Sequence, residues 1–553
     1  MPLPRSALSV VLLLGASVVT PAQQAPTFRE EVEVRVMDLD IVVTDRDGRP
    51  VPDLKREDFT VRLAGKPVPI DYFARVDQGA IRAPDFPTAA PEQVVGVAPT
   101  AEKAYVPRYF LLFLDIGHVS PSGRKSSFEA LHDLIAQMSP NDRARIVLYD
   151  RSIRPITQWL SSKEELSERI SRIEKEQLGM SRLTNERQTL HDIDFAANFA
   201  GQSGRMQRRL AESYAEQQRA EVRQLLDGVR SELSLLAPLA GKKVFLFLSG
   251  GFEFKPGSTM LTYVQRLQGA PGSRARAGPL EVNVHDFTQD LEEITRRANA
   301  SEITFYTVDP RGLEEGGVGV QISGVDASMA ARSDMTGLER AGTQDPLVML
   351  ARETGGLALI NSNDFVKGLT RVDEDTSVYY SLGVTLSKVA AVGYQQVRVE
   401  VNRPGVTVRT RQGYSALTEA ERAQDRVEAT MKTNLSYSAI PVVLRTAPAS
   451  RAGGSYTLPI SVTFPASALT FVPDGRSVSA AADFWFGAVD DEGRSSDVAH
   501  EQTTFAPSGG APDAPLTYRA TLKLRKGANR VIVNVRDRAT GKMGTAKANV
   551  KVG

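Results

Sequence analysis

The sequence contains no cysteine. That excludes disulfides, zinc–thiolate sites, iron–sulfur clusters and thiol nucleophiles. Histidine is also scarce: the five, His118, His132, His191, His285 and His500, are scattered, and no His-Glu-x-x-His pair offers a catalytic zinc site. Charge of one sign is never concentrated, and 67 basic side chains stand against 66 acidic ones. A nucleic-acid partner would call for a clustered basic surface, so that class is set aside. No phosphate loop of Gly-x-x-x-x-Gly-Lys-Ser/Thr type and no dinucleotide fingerprint follows an apolar strand. Beyond the first two dozen residues no apolar run approaches the ~20 residues of a membrane span.

What is present begins with a secretory pattern. Arg5 supplies a positive start, Ala7–Val19 an apolar run, and Thr20-Pro21-Ala22 small residues at a cleavage site, so residues 1–24 read as a signal peptide. The expected location is therefore periplasmic or secreted, with no transmembrane segment after signal removal. The absence of cysteine leaves no acceptor for a bacterial lipoprotein anchor.

At 553 residues the chain calls for several domains. Residues 28–78 read as a small β module. Glu31–Val43 alternates, with Val32, Val34 and Val36 on one face and Leu39, Ile41 and Val43 continuing after a slip at Met37 that suggests a bulge. Asp45-Arg46-Asp47-Gly48 is a hairpin turn; a calcium loop there lacks its downstream glutamate. Residues 79–104 read as a Pro/Ala/Val-rich linker.

Residues 105–415 then alternate strand and helix. Phe110–Leu114 is apolar without a break and ends in Asp115, as suits a strand in the middle of a parallel sheet covered on both faces. Arg145–Tyr149, Val244–Leu248, Ile303–Val308, Leu357–Ile360 and Val378–Leu386 read as further strands of this sheet. A helical insertion over 160–238 carries helices at Ser162–Gln177 and Arg205–Leu236, amphipathic and packed on the domain or paired as a hairpin. Residues 416–434 read as a helical linker, and 435–553 as a C-terminal β-sandwich with strands at Tyr456–Phe464, Ser477–Val489, Leu516–Leu524 and Asn529–Val535.

An apolar strand ending in Asp, a polar loop and an amphipathic helix resemble the opening of a von Willebrand factor type A domain. Val42–Phe59, Phe305–Leu313, Leu350–Leu357, Tyr379–Gly383 and Val397–Tyr414 sharpen this to a resemblance to the bacterial VWFA-related family of secreted proteins, over roughly residues 28–415. The resemblance implies an α/β class with a von Willebrand factor A-like doubly wound sheet, which the alternation on either side flanks with the N-terminal small β domain and the C-terminal β-sandwich. It also implies a divalent metal on the carboxyl edge of the sheet, held by the Asp and two Ser of Asp-x-Ser-x-Ser, a Thr from a later loop and often an Asp after the fourth strand. Asp115 matches. The two serine positions hold Gly117 and Val119, and Ser249 stands where the second Asp is expected. Thr189 matches the threonine, and Ser120 or Ser122 are the nearest hydroxyls.

The expected site is thus a degenerate one of Asp115, Ser120, Thr189 and Ser249. Magnesium is the ion such oxygens suit, and no cofactor is expected to be essential. The loops Ile116–Gly123, Gly250–His285 and Arg311–Gln344 gather on the same edge and form the expected contact surface for a protein partner. The expected role is a non-enzymatic binding, scaffold or adhesion protein. Two alternatives stand beside it: an exported hydrolase built from Asp115, His118, His191 and Ser249, and a magnesium-dependent adhesin.

Overall fold

The computed structural model describes residues 35–85, 105–118, 121–176, 180–196, 203–269, 285–312, 342–386, 393–452, 455–474, 477–506 and 514–553. They divide into two compact units, Val32–Leu417 and Thr418–Gly553. The signal reading over 1–24, most of the expected linker, residues 270–284 of the expected loop Gly250–His285 and most of the expected loop Arg311–Gln344 lie outside the described residues.

The first unit opens with strand β1 (Arg35–Thr44), followed by β2 (Phe59–Leu63), β3 (Lys66–Val68), β4 (Tyr72–Asp77) and β5 (Ala80–Asp85). The α/β sequence comes next, in the order β6 (Arg108–Asp115), α1 (Pro121–Gln137), β7 (Arg143–Tyr149), β8 (Ile153–Pro155) and α2 (Lys163–Lys175). It continues through α3 (Met180–Ala196), α4 (Ser203–Leu236), β9 (Lys242–Ser249), α5 (Ser258–Gly269), α6 (Thr288–Ala300) and β10 (Ile303–Val308). A helix over 342–353, α7, leads to β11 (Ala358–Leu359) and α8 (Phe365–Ser377).

The central sheet has the order β11-β10-β9-β6-β7-β8, parallel except for the antiparallel edge strand β8. Its strands β6, β7, β9 and β10 are buried on both faces, which is why they read as unbroken apolar runs rather than alternation. On one face Phe110, Leu112, Leu114, Ile146, Leu148, Val244 and Leu246 meet Phe128, Leu131 and Leu134 of α1, Leu166, Ile170 and Ile173 of α2, and Leu369 and Val372 of α8. On the other, Phe113, Phe245, Phe247 and Phe305 stack on one another, Phe245 and Phe305 with centroids 4.4 Å apart. Gly228 of α4 lies over this face, where an added Cβ would come within 2.2 Å of Ile153 Cδ1. The chain runs outward from β6 to β7 in one direction and from β9 to β11 in the other. The switch point, where open α/β sheets form their ligand crevice, is therefore between β6 and β9.

Four further strands close the unit: β12 (Val378–Leu386), β13 (Gln395–Val401), β14 (Thr407–Arg409) and β15 (Gly413–Tyr414). Val378–Leu386, read from sequence as the last strand of the central sheet, pairs instead with β1 and β4, in a sheet ordered β14-β1-β12-β4-β5. A second sheet, β15-β13-β2-β3, packs on the first. The physical reason is the alternation of β12: Tyr380, Leu382, Val384 and Leu386 point into one core with Met37, Leu39, Ile41, Phe59, Val61 and Phe73. The N-terminal β module is thus closed by strands that follow the α/β sequence.

The bulge expected at Met37 is absent from the described strand. Arg35–Ile41 pairs with Tyr380–Leu386 without a break, and Met37 is an ordinary member of the Leu39–Ile41–Val43 face. The turn after β1 is as expected: Asp45 Oδ1 accepts the N–H of Asp47 and of Arg49, and Gly48 has φ +82°.

The helical insertion also differs. Three helices lie between β8 and β9, and α2 belongs to the helix layer against α1. Helices α3 and α4 pair, and α5, inside the expected loop Gly250–His285, packs on them through Met260, Tyr263 and Val264.

In the second unit the helix expected as a linker, α9 (Glu419–Lys432), begins with a Thr418/Glu421 capping box and buries Ala423, Val427 and Met431. It lies on the sandwich of strands β16 (Val443–Thr446), β17 (Ser450–Ala452), β18 (Ser455–Pro465), β19 (Val472–Asp474), β20 (Ser477–Asp490), β21 (Ala499–Phe505), β22 (Pro515–Leu524), β23 (Gly527–Asp537) and β24 (Met543–Val552). Its core joins Leu458, Ile460, Val462 and Phe464 to Phe484, Phe486, Val531, Val533 and Val535.

Candidate functional site

The ends of β6 and β9 place the site. In their parallel register Asp115 stands opposite Ser249, so the two side chains meet at the switch point because their strands do. Both are fully buried. Ser249 Oγ donates to Asp115 Oδ2 at 2.6 Å and accepts the Gly251 N–H at 2.9 Å. Gly251, at φ +77°, turns the chain sharply there, and its missing side chain lets the Thr343 carbonyl approach; an added Cβ would sit 1.9 Å from that oxygen. Gly123 in α1 is packed in the same way, with a Cβ position 1.6 Å from the Pro310 carbonyl oxygen.

A second buried carboxylate lies on this edge. Asp309, directly after β10, is fully buried and accepts hydrogen bonds from the Arg311 N–H at 3.0 Å, Arg311 Nε at 2.9 Å and Nη2 at 2.8 Å, and Gln344 Nε2 at 2.7 Å. Arg311 Nη2 also donates to Thr343 Oγ1. Burial alone would raise the Asp309 carboxyl, but the Arg311 and Gln344 donors and the guanidinium charge outweigh it and hold it below its ordinary 3.8. Sequence reasoning missed this residue as part of the edge, although Asp309-Pro310-Arg311-Gly312 follows an unbroken apolar strand just as Asp115 does. Tyr149, at the end of β7, donates to the Glu221 carbonyl; burial, then the Asp115 charge, push its phenol well up.

Of the remaining expected residues, the structure describes Thr189, and it does not join this pair. Thr189 lies in α3 rather than in a loop, and its hydroxyl donates to the Asn185 carbonyl four residues back. The segment Gln188–Asp192 is helical because Ile193, with Leu190 beside it, buries one side of α3 against Tyr214 and Ala215 of α4. Ser120 and the side chains of His118 and Ser122 lie outside the described residues. Glu253 accepts the Thr259 N–H at 3.1 Å and the Thr259 hydroxyl, so it caps α5. It also lines a cavity of about 20 Å³, with Glu186, Gln218 and Thr343, a space for about one water.

The described residues do not fit magnesium. The ion needs several oxygens with free lone pairs in near-octahedral array. Here Asp115 Oδ2 accepts the Ser249 proton, Ser249 Oγ accepts the Gly251 N–H, Thr189 lies in α3 and bonds to its own helix, and Asp309 is neutralised by an arginine. Among the described residues no group of three or more His, Asp or Glu side chains converges.

Of the hydrolase grouping, the described residues show only the Ser249–Asp115 contact, and the His118 side chain lies outside them. Ser249 hydrogen-bonds to Asp115 and Gly251, its oxygen is inaccessible, and His191 is exposed on α3 beside Phe195. His132 faces Ser167 of α2, and His285 lies 3.7 Å from Asp290.

No family model matches the chain, and no curated protein matches it. Among solved structures it is similar to a von Willebrand factor type A protein from Catenulispora acidiphila, with 8% identity and a TM-score of 0.22, over 94% of this chain and 75% of that one. It is similar to the conserved hypothetical protein BatB from Bacteroides thetaiotaomicron, with 11% identity and a TM-score of 0.23, over 49% of this chain and 98% of that one. An aerotolerance-related membrane protein from Bacteroides fragilis aligns with 10% identity and a TM-score of 0.20, over 49% and 98%. Scores this low add nothing to the fold, which rests on the strand order and register above.

Proposed function

We propose that this chain is an exported, non-enzymatic binding or scaffold protein. In this reading a protein partner is held by the loops on the carboxyl edge of the type A-like sheet, without an essential metal. The supporting observation is the Ser249-to-Asp115 hydrogen bond: at the position where the resembled domains hold a metal, the acid is satisfied by a buried hydroxyl. A carboxylate used in that way stiffens the edge and leaves recognition to the loops around it.

The test is the melting temperature of the mature chain in EDTA and in millimolar magnesium, manganese or calcium, beside Asp115→Asn. An ion that binds only the folded state would add ~2.7 kcal/mol at a hundredfold excess over its dissociation constant. The expected result is no shift with any ion. A rise that disappears in Asp115→Asn would replace this reading with the magnesium-dependent adhesin. In a second arm, partner binding is expected to survive EDTA and Ser249→Ala, and to be lost when 270–284 is replaced by a short Gly/Ser linker. Hydrolysis of an ester or amide substrate that Ser249→Ala abolishes would favour the hydrolase instead.

A further inference from the structure

The outer face of the sandwich in the second unit carries a cleft that the reading above does not use. It is a cavity of about 790 Å³ between α9 and strands β20 and β21, within the ~300–1,000 Å³ range of small-molecule sites. Its floor follows from the alternation of β20: Phe484 and Phe486 enter the core, so Asp483 and Trp485 face outward. The register of β21 sets His500 beside Trp485 and Gln502 beside Asp483.

The indole and imidazole are stacked, with centroids 4.8 Å apart and planes 13° apart, and His500 Nε2 lies 3.1 Å from Asp483 Oδ1. Trp485 is half-buried and, with His500 stacked on it, lines the cleft, so the rest of the indole surface is what a ligand would meet. Helix α9 is seated beside it, where Gly487 leaves room for Met431 Cε and Asn534 Nδ2 donates to Thr430 Oγ1 at 2.9 Å.

The charges around the stacked pair are mutually satisfied. Glu428 pairs with Lys432 at 2.6 Å, Glu419 with Arg536 at 3.2 Å, and Asp483 lies 3.7 Å from Arg536 and 4.0 Å from Arg538. Three acids and three bases line the cleft, so it favours neither an anion nor a cation. The Nε–H of Arg536, in a side chain 10% exposed, has no acceptor among the described residues and is itself buried.

We propose that this cleft is a binding site for a neutral saccharide. A sugar ring presents an apolar C–H face and a rim of hydroxyls. The first matches the part of the Trp485 indole that lines the cleft, and the second the exposed amide of Gln502 and the Asp483 carboxylate. Large planar side chains bring contact area with little entropy to lose, which is why such a surface binds rings well. This site lies in a different unit from Asp115 and does not depend on the function proposed for it.

The test titrates the full chain with neutral tetrasaccharides of glucose, mannose, galactose and N-acetylglucosamine, by calorimetry and by tryptophan emission. Of the two tryptophans, Trp159 is buried at 4% exposure, so a spectral change on binding reports Trp485. At least one tetrasaccharide is expected to bind, with Trp485→Ala weakening it about tenfold or more and Trp485→Phe less. Gln502 is exposed, so Gln502→Ala is expected to weaken binding without changing the melting temperature. The proposal is overturned if no tetrasaccharide binds at millimolar concentration, or if affinity is unchanged in both Trp485→Ala and Gln502→Ala. It is equally overturned if only charged oligosaccharides or peptides occupy the cleft.

Discussion

A fragment of residues 28–104, which sequence reading would mark off as the N-terminal module with its linker, is expected not to fold alone. Strand β1 lies between β12 and β14, and β4 between β12 and β5, so cutting the chain there removes the middle of one sheet. It also removes Tyr380, Leu382, Val384 and Leu386, each 5% exposed or less, from the shared core. At ~1.5–3 kcal/mol for each buried side chain, these four alone contribute about 6–12 kcal/mol. That is as large as the whole stability of a typical domain, about 5–15 kcal/mol. What is left is β1 without a partner and two hairpins, and isolated hairpins are marginal in water. The assay is circular dichroism and amide dispersion of the fragment, compared with residues 35–85 joined by a flexible linker to 378–417. The joined chain is expected to melt cooperatively and the fragment to show no transition. A cooperative, dispersed 28–104 fragment would refute the reasoning, because it would mean that the β12 contacts are not required.

Ser249→Ala removes a fully buried hydrogen bond to Asp115 and is expected to cost ~1–3 kcal/mol in urea unfolding. Gly123→Ala would force a Cβ to within 1.6 Å of the Pro310 carbonyl and is expected to cost ~1–3 kcal/mol or more, whereas Gly342→Ala, with nothing within 4 Å, should change stability by no more than ~0.5 kcal/mol. Asp309 has a folded-state carboxyl held below its unfolded 3.8, so its contribution is complete above that pH and is lost as pH falls through the lower folded value. Acid titration of stability should show Asp309→Asn flattening that descent while the near-neutral plateau drops. Arg409→Met leaves Asp375, 1% exposed, without its bidentate partner and is expected to cost ~3–5 kcal/mol, and Arg409→Met with Asp375→Leu should recover most of it in a double-mutant comparison.

The strands of the central sheet were legible because burial on both faces writes them as apolar runs. Those of the sandwich were legible because one buried face writes them as alternation. Asp115 and Ser249 were legible as a pair for the same reason: each is the first polar residue after such a run, and the runs are neighbours. Thr189 was misplaced because α3 buries little, with Ile193 and Ala196 as its fully buried residues. Its polar surroundings read as a loop. Strand β12 was misassigned because alternation identifies a strand but not its partner, and β1 is more than three hundred residues away. Asp309 was quoted only as part of a motif, since nothing local says that Arg311 and Gln344 will turn onto it.

The polar seam inside the first unit was the least legible feature, and it bears on where the site can act. Arg108, at the start of β6, donates to Asp142 and through Nη1 to Asp373, Thr376 and Ser377 at the end of α8. Lys242, at the start of β9, reaches Asp40 of β1 at 2.8 Å and lies over the Tyr379 ring. Arg411 donates to the Asn299 carbonyl and the Asp38 carbonyl. Each charge reads locally as a solvated strand end, yet each is buried against a residue distant in sequence. These contacts hold the β-sandwich of this unit at the amino ends of β6 and β9. Asp115 and Ser249 are at the other ends, seven residues along each strand, or about 23 Å away. The seam therefore leaves the carboxyl edge uncovered by the β module. Helix α8 ends at Ser377 and β12 starts at Val378, with no residue between them. The helix layer and the β core are therefore covalently continuous at a point where their charges are also paired. Separating them would expose Arg108, Asp142 and Asp375 together, and single unpaired buried charges already cost several kcal/mol. The whole of Val32–Leu417 thus has reason to unfold in one transition, and the edge that carries the candidate site is braced from behind.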